Sequence, residues 1–405
     1  MSFDHAALRA EFPIFGSGNG SALHYLDNAA TSQVPRTVIS AVTNFETTSR
    51  ANVLRGVHRL AEAATEAYDQ ARRSIARYVN APAEEIVFTS GTTGAINLVA
   101  RSFGDTLAPG DEVVISELEH HSNLVPWQML RDRRGVVLKI LPVTDEGRLD
   151  VAALSRVVTP KCRLIALTHA SNVTGAVSDA APLAAAARAV GAKLLLDGAQ
   201  RAPHGPLDLP ALGADFYAFS GHKMFGPTGI GVLWARRELL EAMPPFLGGG
   251  EMIRTVTLEK TTWAAVPHKF EAGTPPIAQA IGLGAAAEWL MRLDWPAVSA
   301  HELRLTQRVL DGLGRVRGAK VVGPSSLQGR VPVVSFALDG AHPHDICQIL
   351  DGFGVALRGG HHCAQPFMER MGLGGTTRAS IAMYNTDADI DALLTGLDAA
   401  VTRLS

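Results

Sequence analysis

The chain has 405 residues, 47% of them hydrophobic and 19% charged, with a formal net charge of -2. That balance gives no electrostatic reason to expect a nucleic acid or an anionic membrane as partner, and three cysteines (Cys162, Cys347, Cys363) are too few for a disulfide framework, which points to a reducing, cytoplasmic compartment. The opening stretch MSFDHAALRAEFPIF lacks an apolar signal core, and charges such as Arg188 and Lys193 interrupt the alanine-rich stretches, so no membrane span is expected.

Apolar runs of strand length alternate with helix-like segments along most of the chain. EEIVFTS leads into GTTGAINLVARSF, DEVVIS into SNLVPWQMLRDRRG, VVLKILPV into RLDVAALSRVV, and RLIALTHAS into SDAAPLAAAARAVG. KLLLDGAQ, DFYAFS and GIGVLWA follow in close succession. Short buried runs between amphipathic helices predict an α/β fold, a mostly parallel sheet with helices on both faces. After about residue 275 the pattern changes. TPPIAQAIGLGAAAEWLMRL and WPAVSAHELRLTQRVLDGL read as long helices, VPVVSFAL and TRASIAMY as strands, and PHDICQILDGFG as a helix of a smaller α+β unit. A domain change is placed near residue 285.

Ligands of open α/β sheets bind beyond the carboxyl ends of the strands, and chemistry-bearing residues gather at such ends. In SGTTGAIN, Gly91 and Gly94 permit a tight turn, and Thr92 and Thr93 place hydroxyls at a helix N-terminus, as an anion site or an ordinary cap. Asp197 ends the apolar run KLLLD with Gln200 three residues on. A buried acid there needs a protonated ring nitrogen, a metal, a cap or an ion pair as partner. In AFSGHKMFGPTGIGVL, Lys223 sits on a constrained small-residue turn behind Ser220 and His222, where it is either a Schiff-base amine beside an anion site or a solvated lysine. His120 and His121 in ELEHHSN offer a ring that can stack or move a proton, and their adjacency does not suit one metal ion. RGGHHCAQP puts Cys363 in a glycine-rich loop with Arg358 and two histidines, surroundings that favour a thiolate over an inert cysteine. Arg378 in TTRASIAMYNT is a carboxylate clamp or a surface ion pair. The order of these residues along the chain supplies the contacts that pyridoxal phosphate needs.

With LRAEFPIF, LHYLDNAATSQVP, ANVLRGVHRLA, FTSGTTGAINLVA, ELEHHSNLVPWQ, HASNVTGAV, LLLDGAQRAPH, DFYAFSGHKMFGPTGIGVLW, FEAGTP, RGGHHCAQP and RASIAMYNT, the chain resembles the Suf-type (group II) cysteine desulfurases, including their selenocysteine-lyase-like members. These belong to the class V aminotransferase group of fold type I pyridoxal-phosphate enzymes. The resemblance implies a large cofactor domain with a mostly parallel seven-stranded sheet at 21–285. It implies a small C-terminal α+β domain at 286–405 carrying Cys363 and Arg378, with residues 1–20 associated with the small domain. It implies that Lys223 binds pyridoxal 5'-phosphate covalently, that His120 stacks on the ring, that Asp197 pairs with the ring nitrogen and that Gln200 bonds its phenolic oxygen. Thr92, Ser220 and His222 would hold the phosphate, with Thr93 a weaker candidate and Thr274 reaching the phosphate of the other subunit of a homodimer with shared active sites. Asn172 and Arg378 would hold the substrate carboxylate, Arg358 would shape the loop, and Cys363 would accept sulfur from L-cysteine (or selenium-bearing L-selenocysteine) and pass it to a protein of the SufE or SufU kind, as in iron–sulfur cluster assembly. No metal is implied.

Three departures accompany the resemblance: Leu54 stands where the N-x-x-H-R-G-x-H pattern has its first basic residue, Gly359 where a hydroxyl residue is common, and PIAQAIGL follows EAGTP in place of a polar, glycine-rich stretch. The alternatives on the same scaffold are a selenocysteine lyase, a C–S lyase forming pyruvate, an epimerase and a kynureninase. From other classes come a non-catalytic sulfur carrier and a zinc enzyme.

Overall fold

Seven strands form the central sheet: β1 (Ile86–Thr89), β2 (Glu112–Ser116), β3 (Val137–Leu141), β4 (Cys162–Thr168), β5 (Lys193–Asp197), β6 (Phe216–Ser220) and β7 (Gly231–Ala235). Their spatial order is β1-β7-β6-β5-β4-β2-β3. β2 to β6 run parallel, and β7 is antiparallel to both β6 and β1, so the expectation of a mostly parallel sheet holds with one reversed strand. The computed structural model describes residues 4–16 and 23–404.

The strands read as unbroken apolar runs because both faces are covered. Along β5, Leu194 and Leu196 enter one core while Leu195 enters the other. Val114 and its neighbours Val113 and Ile115 in β2 divide the same way. One face is packed by helices Arg59–Tyr78, Ala180–Ala189 and Ile277–Met291, the other by Thr92–Ser102 and Val125–Arg134. RLDVAALSRVV does not make the one helix its pattern suggests. It splits into a 3-10 turn at Val151–Ala153 and a single turn at Leu154–Val157, the first capped by Asp150 accepting from the Ala152 N–H.

Helix Ile277–Met291 packs on Arg59–Tyr78 and on Arg36–Asn44, beneath the large sheet. Trp295–Leu313 instead packs against a second, antiparallel sheet of β8 (Ala319–Val322), β9 (Val333–Leu338), β10 (Arg358–Gly360) and β11 (Thr376–Ser380), ordered β8-β9-β11-β10. Helices Pro343–Asp351 and Asp387–Leu404 complete that core. TRASIAMY is only half strand. The ladder stops at Ser380, and IAMY leaves it because the Ile381 N–H turns to Pro332 O and the Ala382 N–H to the Asn385 side chain. Near the N-terminus, Arg9 donates to Tyr384 O at 2.7 Å and Phe12 stacks edge-on against Phe225, Trp289 and Tyr384. The expected boundary at 20/21 lies outside the described residues.

Candidate active site

The carboxyl ends of β1, β4, β5 and β6 converge on a cavity of about 210 Å³. Its walls include Thr92, Thr93, His120, Asn172, Asp197, Gln200, Ser220, His222, Lys223, Arg358, Cys363 and Arg378. Residues as far apart as 92 and 378 are brought together by the sheet ends and by the β10–β11 edge of the small sheet. Of the site residues expected from the sequence, Thr274 alone is elsewhere. It is exposed and lines a surface hollow with Phe45, Asn52 and Pro275.

At one end of the cavity stands the phosphate-type turn. Gly91 has φ +143, a backbone conformation that L side chains rarely adopt, and a Cβ at Gly231 would lie 2.5 Å from the Gly91 Cα. The two glycines let the turn close onto β7 and aim the N-terminus of helix Thr92–Ser102 inward. There the Thr92 N–H donates to Ser220 Oγ at 2.8 Å, the two hydroxyls meet at 2.7 Å, and Thr93 Oγ1 lies 2.7 Å from Ser122 Oγ. Ser122 lines the cavity as well, although its sequence context had singled out only the histidines before it.

Lys223 sits on a 3-10 turn, Gly221–Lys223, that the chain pins from a distance: Thr31 Oγ1 and Ser32 Oγ donate to His222 O at 3.0 and 3.2 Å, and Ser32 Oγ accepts from the Phe225 N–H at 2.8 Å. Burial pushes the Lys223 amine down to about 8, opposed by Asp197 and assisted by Arg378. Asp197, buried at the end of β5, is raised by burial, while the Ala199 N–H at 3.0 Å and Lys223 pull it back. His120 is held down to about 3 by burial and then by Lys223, and His222 to about 4 by the same two causes. His120 Nδ1 accepts from the Ser122 N–H at 3.0 Å, so its proton resides on Nε2. Gln200 Nε2 donates to Ala29 O at 2.8 Å, which fixes the amide at the cavity wall.

Cys363 is exposed and lies in a turn, as its glycine-rich context suggested, but the turn is anything but loose. His362 and Cys363 have φ +52 and +56, two successive non-glycine residues in the left-handed region, at a cost on the order of 1 kcal/mol each. Three bonds hold them there, and a fourth ties Gln365 beyond the turn to His121. Asn172 Nδ2 donates to His362 O at 2.7 Å and the His121 N–H to Cys363 O at 2.7 Å. His362 Nε2 donates to Thr376 O at 3.0 Å, and the Gln365 N–H reaches His121 Nε2 at 3.3 Å. Asn172 thus supports the sulfur turn with its amide nitrogen while lining the cavity.

Arg378 is 2% exposed. Its Nη1 donates to Asn172 O at 2.9 Å and its Nη2 to Asp27 Oδ1 at 3.1 Å, while its Nε has no partner. Asp27 and Glu119 are the acids that sequence reasoning passed over. Glu119, next to His120 in the chain and pushed up to about 8 by burial, accepts from Ser116, Asn123 and the Thr168 N–H.

These walls suit pyridoxal phosphate. A buried acid, a partly neutral lysine, a neutral ring and an N–H and hydroxyl cluster for an anion lie around one cavity, and the unpaired Arg378 Nε leaves a buried donor for a carboxylate. Sheet and site together define a fold type I pyridoxal-phosphate enzyme. The aminotransferase class-V profile matches residues 24–393, and the chain belongs to that family. It is 48% identical over 403 residues to a probable cysteine desulfurase of Streptomyces coelicolor, covering 98% of this chain and 96% of that one. It is 48% identical over 394 residues to a cysteine desulfurase of Dickeya dadantii, covering 96% and 95%. The crystal structure of the cysteine desulfurase CsdA from Escherichia coli superposes with a TM-score of 0.93 at 41% identity, covering all of both chains. Within its family the chain belongs with the cysteine desulfurases.

Proposed function

We propose that this chain is a Suf-type desulfurase that takes sulfur from L-cysteine onto Cys363 as a persulfide, leaves L-alanine, and passes the sulfur to an acceptor protein. The observation behind this reading is the placing of an exposed cysteine, on a tightly held turn, in the same cavity as Lys223, Asp197 and Arg378. Pyridoxal phosphate, held by Lys223, Asp197, Gln200 and the Thr92, Ser220 and His222 cluster, supplies an electron sink for charge developing at the substrate Cα. Arg378 grips the substrate carboxylate through its free donor, next to Asn172. Lys223 Nζ, about half neutral near pH 8, takes the Cα proton and can return it. His120, fixed as the Nε2–H tautomer, covers the ring and excludes water from that face. Cys363 Sγ attacks the substrate sulfur: an S–S bond forms, the C–S bond breaks, and the Cys363 thiol proton ends on alanine. The overall exchange, cysteine plus thiol to alanine plus persulfide, needs no external oxidant.

The same reading includes a homodimer in which Thr274 serves the partner's phosphate, an acceptor of the SufE or SufU kind and a cytoplasmic setting. Among the described residues no helix is long and apolar enough to cross a membrane. We divide the chain into a large cofactor domain and a small C-terminal domain, with the change expected at 285/286 moved to the end of helix Ile277–Met291, which packs with the large sheet, and an N-terminal segment at 1–20 that accompanies the small domain. The test is mass spectrometry of the holoenzyme after a pulse of L-cysteine. One added sulfur atom on the Cys363 peptide is expected, together with loss of alanine production in Cys363→Ala. A Cys363→Ala enzyme that desulfurates cysteine at the wild-type rate would falsify the acceptor role.

A further inference from the structure

The two arginines that line the cavity from the small sheet, Arg358 on β10 and Arg378 on β11, are direct cross-strand partners. Directly opposed like charges on neighbouring strands destabilise a sheet, and here one of them is almost wholly buried, at 2% exposure against 49% for the other. A single carboxylate lies between them. Asp27 Oδ1 accepts from Arg378 Nη2 at 3.1 Å and Asp27 Oδ2 lies 3.7 Å from Arg358 Nε. Asp27 is itself fixed by a backbone bridge to Ser380 at the end of β11, and it is not among the residues lining the cavity.

We propose that Asp27 is a positioning residue for substrate recognition, resting on the reading of Arg378 as the carboxylate clamp. The carboxylate takes one N–H of one terminal nitrogen of Arg378 and the Asn172 carbonyl one N–H of the other, which fixes the plane of the guanidinium at the cavity wall and leaves its remaining N–H groups for the ligand. By balancing one of two adjacent positive charges, Asp27 also leaves this part of the cavity with about one surplus charge, suited to a single carboxylate.

The test is steady-state kinetics of Asp27→Asn holoenzyme with L-cysteine, alongside inhibition by cysteamine, which has the amine and thiol but no carboxylate. Replacing the charged acceptor by a neutral amide, which weakens the bond to Arg378 and no longer balances its charge, is expected to raise KM for L-cysteine by about tenfold or more, with kcat within about threefold and the cysteamine inhibition constant within about twofold. A KM that is unchanged or lowered overturns the proposal. Equal weakening of cysteine and cysteamine also overturns it, because that marks general damage to the site. If Asp27→Asn does not accumulate as holoenzyme, Asp27→Glu decides: a KM rise of about threefold confined to L-cysteine supports positioning, and an unchanged KM refutes it. A wild-type enzyme that fails to desulfurate cysteine would instead remove the functional reading itself, a result distinct from either outcome with the variants.

Discussion

Substituting Glu271 by glutamine should destabilise the protein more than any surface change, because the residue closes a buried ion pair. Its carboxylate accepts from Arg72 Nη1 and Nη2 at 2.7 and 2.8 Å, from the Phe88 N–H at 2.7 Å and from Tyr68 at 3.2 Å. The two side chains are 5% and 6% exposed. Burial alone would raise the carboxyl, yet Arg72, His268 and the Phe88 N–H hold it from its ordinary 4.5 down to about 2. At 1.36 kcal/mol per pKa unit that depression is worth about 3 kcal/mol, and removing one partner of a buried pair costs about 3–5 kcal/mol. With an unfolding entropy of about 2 cal/mol/K per residue, 4 kcal/mol in a chain this long is roughly 5 °C in Tm. Because the folded pKa is depressed, this stability is present above pH 4.5 and is lost as pH falls towards 2. Calorimetry of wild type, Glu271→Gln and the double variant Arg72→Met with Glu271→Met checks it at one scan rate and pH 7.5. The double variant should recover about half of the loss, since no charge is then left unpaired. A Glu271→Gln protein within about 1 °C of wild type would refute the argument, and with it the idea that this pair anchors the EAGTP stretch, and so Thr274, to β1.

Cofactor-free protein should take up pyridoxal phosphate faster as pH rises, with a midpoint near 8 where Lys223 becomes neutral; stopped-flow absorbance reads this, and a flat profile between pH 7 and 9 would contradict it. In Asp197→Asn the same midpoint should fall, because Asp197 does more than Cys363 to raise Lys223. Turnover of L-cysteine by Asp197→Asn should drop on the order of 100-fold, the scale set by losing a buried ionic partner, with alanine formation as the readout. A drop below about threefold would argue against a charged partner for Asp197.

The parts of the site that the sequence revealed are those whose neighbours in space are also neighbours in the chain. An acid after an apolar run, glycines around a threonine pair and a lysine before GPTG each show their strain locally. The runs of β2, β4, β5 and β6 were legible because strands buried on both faces must be apolar throughout. Asp27 was not legible, since its partner Arg378 is 351 positions away, and LDNAAT by itself suggests only a turn. IAMY misled for a similar reason. Its apolar residues are buried, but Ile381 in the small core and Ala382, Met383 and Tyr384 in the cluster that holds Phe12 and Leu8, rather than as a continuation of β11. RLDVAALSRVV has helical spacing over too few residues for it to outweigh the Asp150 cap and the turn that follows.

Charge in the cavity leads to a further distinction that the sequence hid. Read as letters, His362 and Arg358 beside Cys363, with His120 and His222 at the sheet ends, look like basic groups. In the folded chain burial lowers all three imidazoles to about 3 or 4, and Lys223 or Arg378 lowers them further. They are therefore neutral at physiological pH, and none can attract an anion by charge. His222 can serve a phosphate only as a neutral hydrogen-bond donor, and His362, whose Nε2 proton is committed to Thr376, serves to hold the sulfur turn. The attraction for a phosphate and a carboxylate must come from the helix N-terminus at Thr92 and from the two arginines. This places the specificity of the cavity on the few groups whose charge survives burial, and Asp27 lies against both arginines among them.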